Sequence, residues 1–154
     1  RVAPKSDGQA RGEHRITTNF VENWAGDQPR FLAQGFTVSG DHAGQESQGM
    51  RWPFGPVGLI APFNFPLEIP TLQLLGALIM GNRPIMKVDS KVSAVMEQFL
   101  RMAHHAGMPL EDVEFINCDG PVMEHVIREA PLRTIQFTGS SKIAEHLCSV
   151  TNGK

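Results

Sequence analysis

From Val57 onward, short apolar runs alternate with longer stretches whose apolar residues recur every three or four positions. Runs at Val57–Ala61, Ile85–Val88, Val113–Ile116 and Thr134–Phe137 predict four strands. The clearest helix lies between the second and third of these. Its Val92, Val95, Met96, Phe99, Leu100, Met102, Ala103 and Ala106 fall on one stripe, Gly107 and Pro109 stop it, and the Met and Phe positions are expected in the core. A helix from Pro66 to Met80 is apolar nearly all round, which predicts one layer on the sheet side and another covering its second face. Shorter helices are expected from about Pro121 to Ala130 and from Ser140 to about Val150. Strands alternating with helices imply crossover units on a parallel sheet, because parallel neighbours cannot be joined by a tight turn.

The first third has a different texture. Residues 1–30 are polar and mixed in charge, with a short amphipathic helix predicted from about Thr18 to Phe31 through Phe20, Val21 and Trp24. That piece reads as peripheral. Residues 31–56 read as two extended stretches, Phe31–Val38 and Gln48–Phe54, around the turn-forming cluster Ser39-Gly40-Asp41-His42-Ala43-Gly44, so an antiparallel arm is expected. Residues 57–154 then form an α/β unit: a partial open parallel, Rossmann-like sheet of four strands with flanking helices, incomplete at its C-terminal end.

Composition narrows the partners. Lys plus Arg total 14 against 16 Asp plus Glu, and 41% of the 154 residues are hydrophobic, so neither a nucleic-acid footprint nor a disorder signature is present. The longest apolar window, Leu67–Met80, is interrupted by Glu68, Thr71 and Gln73, which excludes a membrane-spanning helix there. Small molecules and other subunits are the expected partners. Cys118 and Cys148 do not make a disulfide or zinc framework and read as packing thiols, and the six histidines show no metal spacing. A start at Arg1 and an end in mid-pattern predict a segment of something longer.

Candidate chemistry gathers at strand ends. Asn64 sits between two phenylalanines and two prolines directly after the first buried run, where open α/β sheets place their chemistry; it is either a working amide or a turn residue. No P-loop and no G-x-G-x-x-G occurs. In "FTGSSKIAE", Gly139 permits a tight turn and Ser140 opens a helix whose free N–H groups favour an anion, although serine is also the ordinary N-cap. Lys87 and Asp89 end the second strand, where this fold type holds an adenine ribose, or else they are simply an exposed strand terminus.

The stretches "GPVGLIAPFNFPLEIPTLQLLGALIMGNRPIMKVDSK" and "QFTGSSKIAE" resemble the aldehyde dehydrogenase superfamily. Within it, "RWPFGPV", "KVDSKVS" and "DVEFINCDG" look like the branch that oxidises glutamate semialdehyde, the plant-type delta-1-pyrroline-5-carboxylate dehydrogenases. The resemblance implies NAD as cofactor and a small aldehyde as substrate. It matches Asn64 to the amide that donates to the carbonyl oxygen as it becomes an oxyanion, a contact whose loss costs roughly 3 to 4 kcal/mol of transition-state stabilisation. It matches Lys87 to the lysine at the adenosine ribose and Ser140, beside Gly139, to the serine at the pyrophosphate; Ile60, Ala61, Pro62 and Phe63 lie on the strand end that passes along the cofactor. It further implies that residues 31–54 are an oligomerisation arm pairing with another copy, and a mitochondrial matrix location.

Departures from the family pattern are informative. The commoner Lys-Pro-Ser-Glu is here Lys87-Val88-Asp89-Ser90, which leaves Ser90 where a glutamate often selects the unphosphorylated ribose; Asp89 can supply that charge, so NAD is expected over NADP. Ala144 replaces a frequent glycine. The family's nucleophilic cysteine and its general-base glutamate have no matching motif in this sequence. The expectation is therefore the cofactor-binding portion of an NAD-dependent dehydrogenase, inactive without the remainder of the dehydrogenase chain; a noncatalytic binding subunit is the alternative.

Overall fold

The computed structural model describes residues 3–151. Two helices come first, α1 (Asp7–Ala25) and α2 (Asp27–Leu32), followed by an antiparallel hairpin of β1 (Phe36–Ser39) and β2 (Glu46–Gly49). The remainder alternates: β3 (Pro56–Ile60), α3 (Glu68–Ile79), β4 (Arg83–Lys87), α4 (Ser93–His105), a single 3-10 turn at Leu110–Asp112, β5 (Glu114–Phe115), α5 (Gly120–Glu129), β6 (Thr134–Phe137) and α6 (Ser141–Thr151).

β3 to β6 form one four-stranded parallel sheet in the spatial order β5-β4-β3-β6, as the alternating pattern predicts. Each strand stands within two residues of its expected place, with β4 starting at Arg83 rather than Ile85 and β5 shortened to Glu114–Phe115. The central strand β3 is apolar because both of its faces are covered. Val57 and Leu59 pack with Leu74 and Ala77 of α3, Met86 of β4, and Met96 and Leu100 of α4, all buried. On the other face, Ile60, Ile85 and Ile135 pack with Met123, Ile127 and Leu132 from α5 and the segment after it. Gly58 belongs to this second face, where a Cβ would stand 3.2 Å from Leu132 Cδ1. The methionine stripe of α4 is core only in part: Met96 is fully buried, but Met102, a turn and a half later, is 63% exposed.

The second face of α3 is covered by α1, whose Trp24 ring lies 3.4 Å from where a Cβ on Gly76 would be. The first helix starts at Asp7 rather than Thr18, and it packs on α3 as an outer layer. Its N-terminus carries a capping box, Ser6 with Gln9, which a polar, glycine-containing stretch obscured. The arm also differs. Phe31 and Leu32 belong to α2, and the paired strands have four residues each, Phe36 opposite Gly49 and Ser39 opposite Glu46. All of β1 is exposed, and Arg51 fixes the hairpin's base by donating to the Leu32 carbonyl at 3.0 Å.

Candidate functional site

The chain runs from β3 through α3 to β4 and on to β5, then returns to the other side of β3 as β6. Strand order reverses there, and a crevice opens at the carboxyl ends of the strands, the place where open α/β sheets bind ligands. A cavity of about 630 Å³ occupies it. Ile60, Ala61, Pro62 and Phe63 form the floor, Lys87 and Asp89 one flank, and Phe137 to Ser140 the other; α5 closes the far side with Gly120, Met123 and Glu124. Lys87 and Asp89 are half-buried, and the Asp89 carboxylate accepts from the Lys91 N–H at 3.0 Å, which holds the turn after β4. Ser90 does not line the cavity.

At the β6–α6 turn, a Cβ on Gly139 would overlap Phe137 Cζ, so the Phe137 ring can fold over the turn only because residue 139 has no side chain. The turn delivers the chain into α6, whose leading N–H groups have no acceptor within their own helix and whose dipole-positive end begins beside Ser140 in the crevice wall. Ser140 Oγ accepts from the Ile143 N–H at 3.4 Å, so it serves as a helix cap while standing in the cavity wall. An apolar slot with one ammonium and a helix N-terminus suits an adenine dinucleotide: the slot takes flat rings, and the helix end takes phosphate.

Asn64 does not share this cleft with Lys87. It lines a neighbouring cavity of about 470 Å³, together with Phe63, Phe65 and, from the N-terminal segment, Lys5, Gln9, Glu13 and Ile16. Phe63 lies in the wall of both cavities. The Asn64 side chain is exposed, and among the described residues nothing hydrogen-bonds its amide, so both of its N–H groups are free to donate.

Several residues around the two cavities carry no local sequence signal. Glu13, 6% exposed, accepts from the N–H groups of Leu67 (2.8 Å) and Glu68 (3.1 Å) and pairs with Lys5 at 2.5 Å. Gln73 of α3, 3% exposed, donates to Thr138 Oγ1 at 2.9 Å, tying the β6–α6 turn to α3, while its own carbonyl oxygen is buried without a partner among the described residues. Glu124 of α5 meets His146 of α6 at 2.7 Å and Arg128 at 2.7 Å. The hydrogen bond from His146, then that from Arg128, holds the Glu124 carboxyl below its ordinary pKa. Only contact over 22 residues links Glu124 to His146, and only contact over 65 residues links Gln73 to Thr138.

The cysteines differ in setting. Cys148 is exposed on α6, and Cys118 sits half-buried beside the Met123–Ile127 cluster, where burial pushes its thiol up and the nearby Lys87 ammonium offsets this in part. A nucleophilic cysteine needs the opposite shift. Among the described residues, no three His, Cys, Asp or Glu side chains gather as a metal site, and no helix is long and apolar enough to cross a membrane.

Residues 3–154 match the model of the aldehyde dehydrogenase family. The chain belongs to that family. It is 58% identical over all 154 residues to the mitochondrial delta-1-pyrroline-5-carboxylate dehydrogenase 12A1 of Arabidopsis thaliana, and it spans 28% of the length of that relative. Among solved structures, the fold matches proline utilization A of Bradyrhizobium japonicum with a TM-score of 0.91 at 24% identity, covering 100% of this chain and 16% of that one. It also matches a succinic semialdehyde dehydrogenase of Streptococcus pyogenes, solved with NADP+, with a TM-score of 0.82 at 17% identity, covering 94% of this chain and 31% of that one. These structural likenesses establish an aldehyde dehydrogenase fold for the four-stranded sheet and its helices.

Proposed function

We propose that this segment is the dinucleotide-holding part of an NAD-dependent aldehyde dehydrogenase that oxidises glutamate 5-semialdehyde to glutamate. The observation that carries the proposal is the meeting of two cavities at one turn. The larger is an apolar crevice lined by Lys87, Asp89 and Ser140 at the start of α6, the smaller is lined by Asn64, whose carboxamide has no partner among the described residues, and Phe63 lines both. A nicotinamide dinucleotide in the larger cavity supplies the hydride acceptor. In this reading Lys87 binds the adenosine ribose, Ser140 and the start of α6 bind the pyrophosphate, and Asp89 disfavours a 2′-phosphate by charge, which selects NAD over NADP.

The aldehyde enters from the side of the smaller cavity, so that its carbonyl oxygen meets the Asn64 N–H groups. There the amide stabilises the negative charge that develops as a cysteine thiolate from the remainder of the dehydrogenase chain attacks the carbonyl carbon. The identity with a relative named as a delta-1-pyrroline-5-carboxylate dehydrogenase supports the substrate, and the word mitochondrial in that name supports a mitochondrial matrix location.

The hairpin supports a homo-oligomer. A two-stranded ribbon is marginal alone, and β1 exposes Phe36 (66%) and Val38 (52%), with Trp52 (76%) beyond its partner strand. A second copy pairing along its edge would cover them.

The test is steady-state kinetics of the full-length enzyme with glutamate 5-semialdehyde and other small aldehydes. The reading expects NAD+-dependent oxidation with the highest kcat/KM for glutamate 5-semialdehyde, and a loss of about a hundred- to thousandfold in kcat on Asn64→Ala. Full activity of that variant, or better use of NADP+, contradicts it.

A further inference from the structure

We infer that Glu13 of α1 is a positioning residue for the Asn64 carboxamide, with Lys5 as its counter-ion. The inference rests on the oxyanion role assigned to Asn64 above and adds the device that aims it.

The turn carrying Asn64 has little to hold it from within. Pro62 and Pro66 offer no N–H, and the first carbonyl of the turn to accept a helical bond is that of Phe65, from Ile69 at a long 3.3 Å. Leu67, at the N-cap of α3, has no side chain able to cap the helix, and no hydrogen bond from a local side chain replaces it. The cap comes instead from a different helix. Glu13 Oε1 accepts from both Leu67 N–H (2.8 Å) and Glu68 N–H (3.1 Å), across 54 residues of chain, and so fixes the exit of the turn three residues beyond Asn64.

The second oxygen is used as well. Glu13 Oε2 takes the Lys5 ammonium at 2.5 Å, and the same ammonium lies 3.9 Å above the centre of the Phe65 ring, immediately after Asn64 in sequence. The carboxylate thus grips the backbone after Asn64, while its counter-ion grips the neighbouring side chain.

Both oxygens of this buried carboxylate are already engaged, Oε1 by two backbone donors and Oε2 by one ammonium, which favours positioning over direct participation. Two charge-assisted bonds at a helix N-terminus, where the dipole also favours an anion, make a stiff restraint. Glu13 lines the Asn64 cavity but not the larger cleft. Its effect should therefore reach the chemical step and leave dinucleotide binding alone.

Glu13→Gln keeps the side chain's shape but sets an amide NH2 against the Lys5 ammonium, so one of the two grips must be released. In the full-length enzyme this variant is expected to lower kcat about ten- to hundredfold, the usual consequence of moving a reacting group by a fraction of an ångström to one ångström. The dissociation constant for NAD+ should stay within about twofold, and amide hydrogen exchange at Leu67 and Glu68 should rise. The deciding readout is a double-mutant cycle with Asn64→Ala. If Glu13 acts through Asn64, Glu13→Gln causes no further loss of kcat in the Asn64→Ala background.

An equal loss in both backgrounds, an unchanged kcat for Glu13→Gln alone, or a matching loss of NAD+ affinity overturns the inference. If Asn64→Ala itself keeps full kcat, the oxyanion reading fails and this inference falls with it, an outcome distinct from additivity in the cycle. Lys5→Met supports or overturns it by the same cycle should Glu13→Gln not fold.

Discussion

Replacing Gln73 with methionine should strengthen the fold and weaken cofactor binding at once. Gln73 is 3% exposed, and its two polar atoms are treated very differently: Nε2 donates to Thr138 Oγ1 at 2.9 Å, while Oε1 is buried with no partner among the described residues. The donor's bond contributes a net ~0.5–1.5 kcal/mol, and a desolvated, unsatisfied carbonyl costs ~1–3 kcal/mol. Methionine is close in volume and carries no strong polar atom, and the Thr138 hydroxyl is exposed, so water can replace the lost donor. The balance favours the variant by about 1 kcal/mol, small but measurable. Function moves the other way, because the bond tethers the turn Thr138-Gly139-Ser140 in the cleft wall; freeing it should cost dinucleotide affinity about fivefold, the equivalent of about 1 kcal/mol. The assay is urea unfolding of the 154-residue chain and its Gln73→Met variant, with NAD+ titration of the full-length pair. Destabilisation by more than about 2 kcal/mol would show that the Gln73 carbonyl is satisfied in solution and that the reasoning is wrong.

Two further outcomes follow from the packing and the charges. Met96→Ala should destabilise by about 2–5 kcal/mol in the same urea experiment, because Met96 is fully buried between α4 and the sheet; a loss below about 1 kcal/mol would mean that this core is loosely packed. The Glu124 tie between α5 and α6 should respond to acid. Its folded pKa is depressed, so its contribution is present above the ordinary carboxylate range and is lost as pH falls through the lower folded value. Between those two values the stability of the parent should therefore fall with decreasing pH more steeply than that of Glu124→Gln; equal slopes in denaturation midpoints against pH would contradict the assignment.

How far the sequence discloses this molecule depends on distance along the chain. The strand runs are legible because parallel strands covered on both faces must be apolar, as Val57-Gly58-Leu59-Ile60 is. The all-round apolarity of α3 foretells a covering layer without saying which segment supplies it, and Trp24 of α1 does so by a tertiary contact that no periodicity encodes. At the site, Lys87, Gly139 and Ser140 stand next to strand ends, where topology alone brings them together. Asn64 belongs to the same row of strand ends, but its turn faces the N-terminal helix, which gives it a cavity of its own. Glu13, Gln73 and the Glu124–His146 pair were out of reach, since each acts on a partner more than 20 residues away.

The central claim is that the crevice at the ends of β3, β4 and β6 holds an adenine dinucleotide with Lys87 at its ribose. Calorimetric titration of the full-length enzyme with NAD+, comparing the parent with Lys87→Met, tests it directly. The account expects about tenfold weaker binding in the variant, the equivalent of about 1.4 kcal/mol. NAD+ binding of equal strength in both proteins would contradict it.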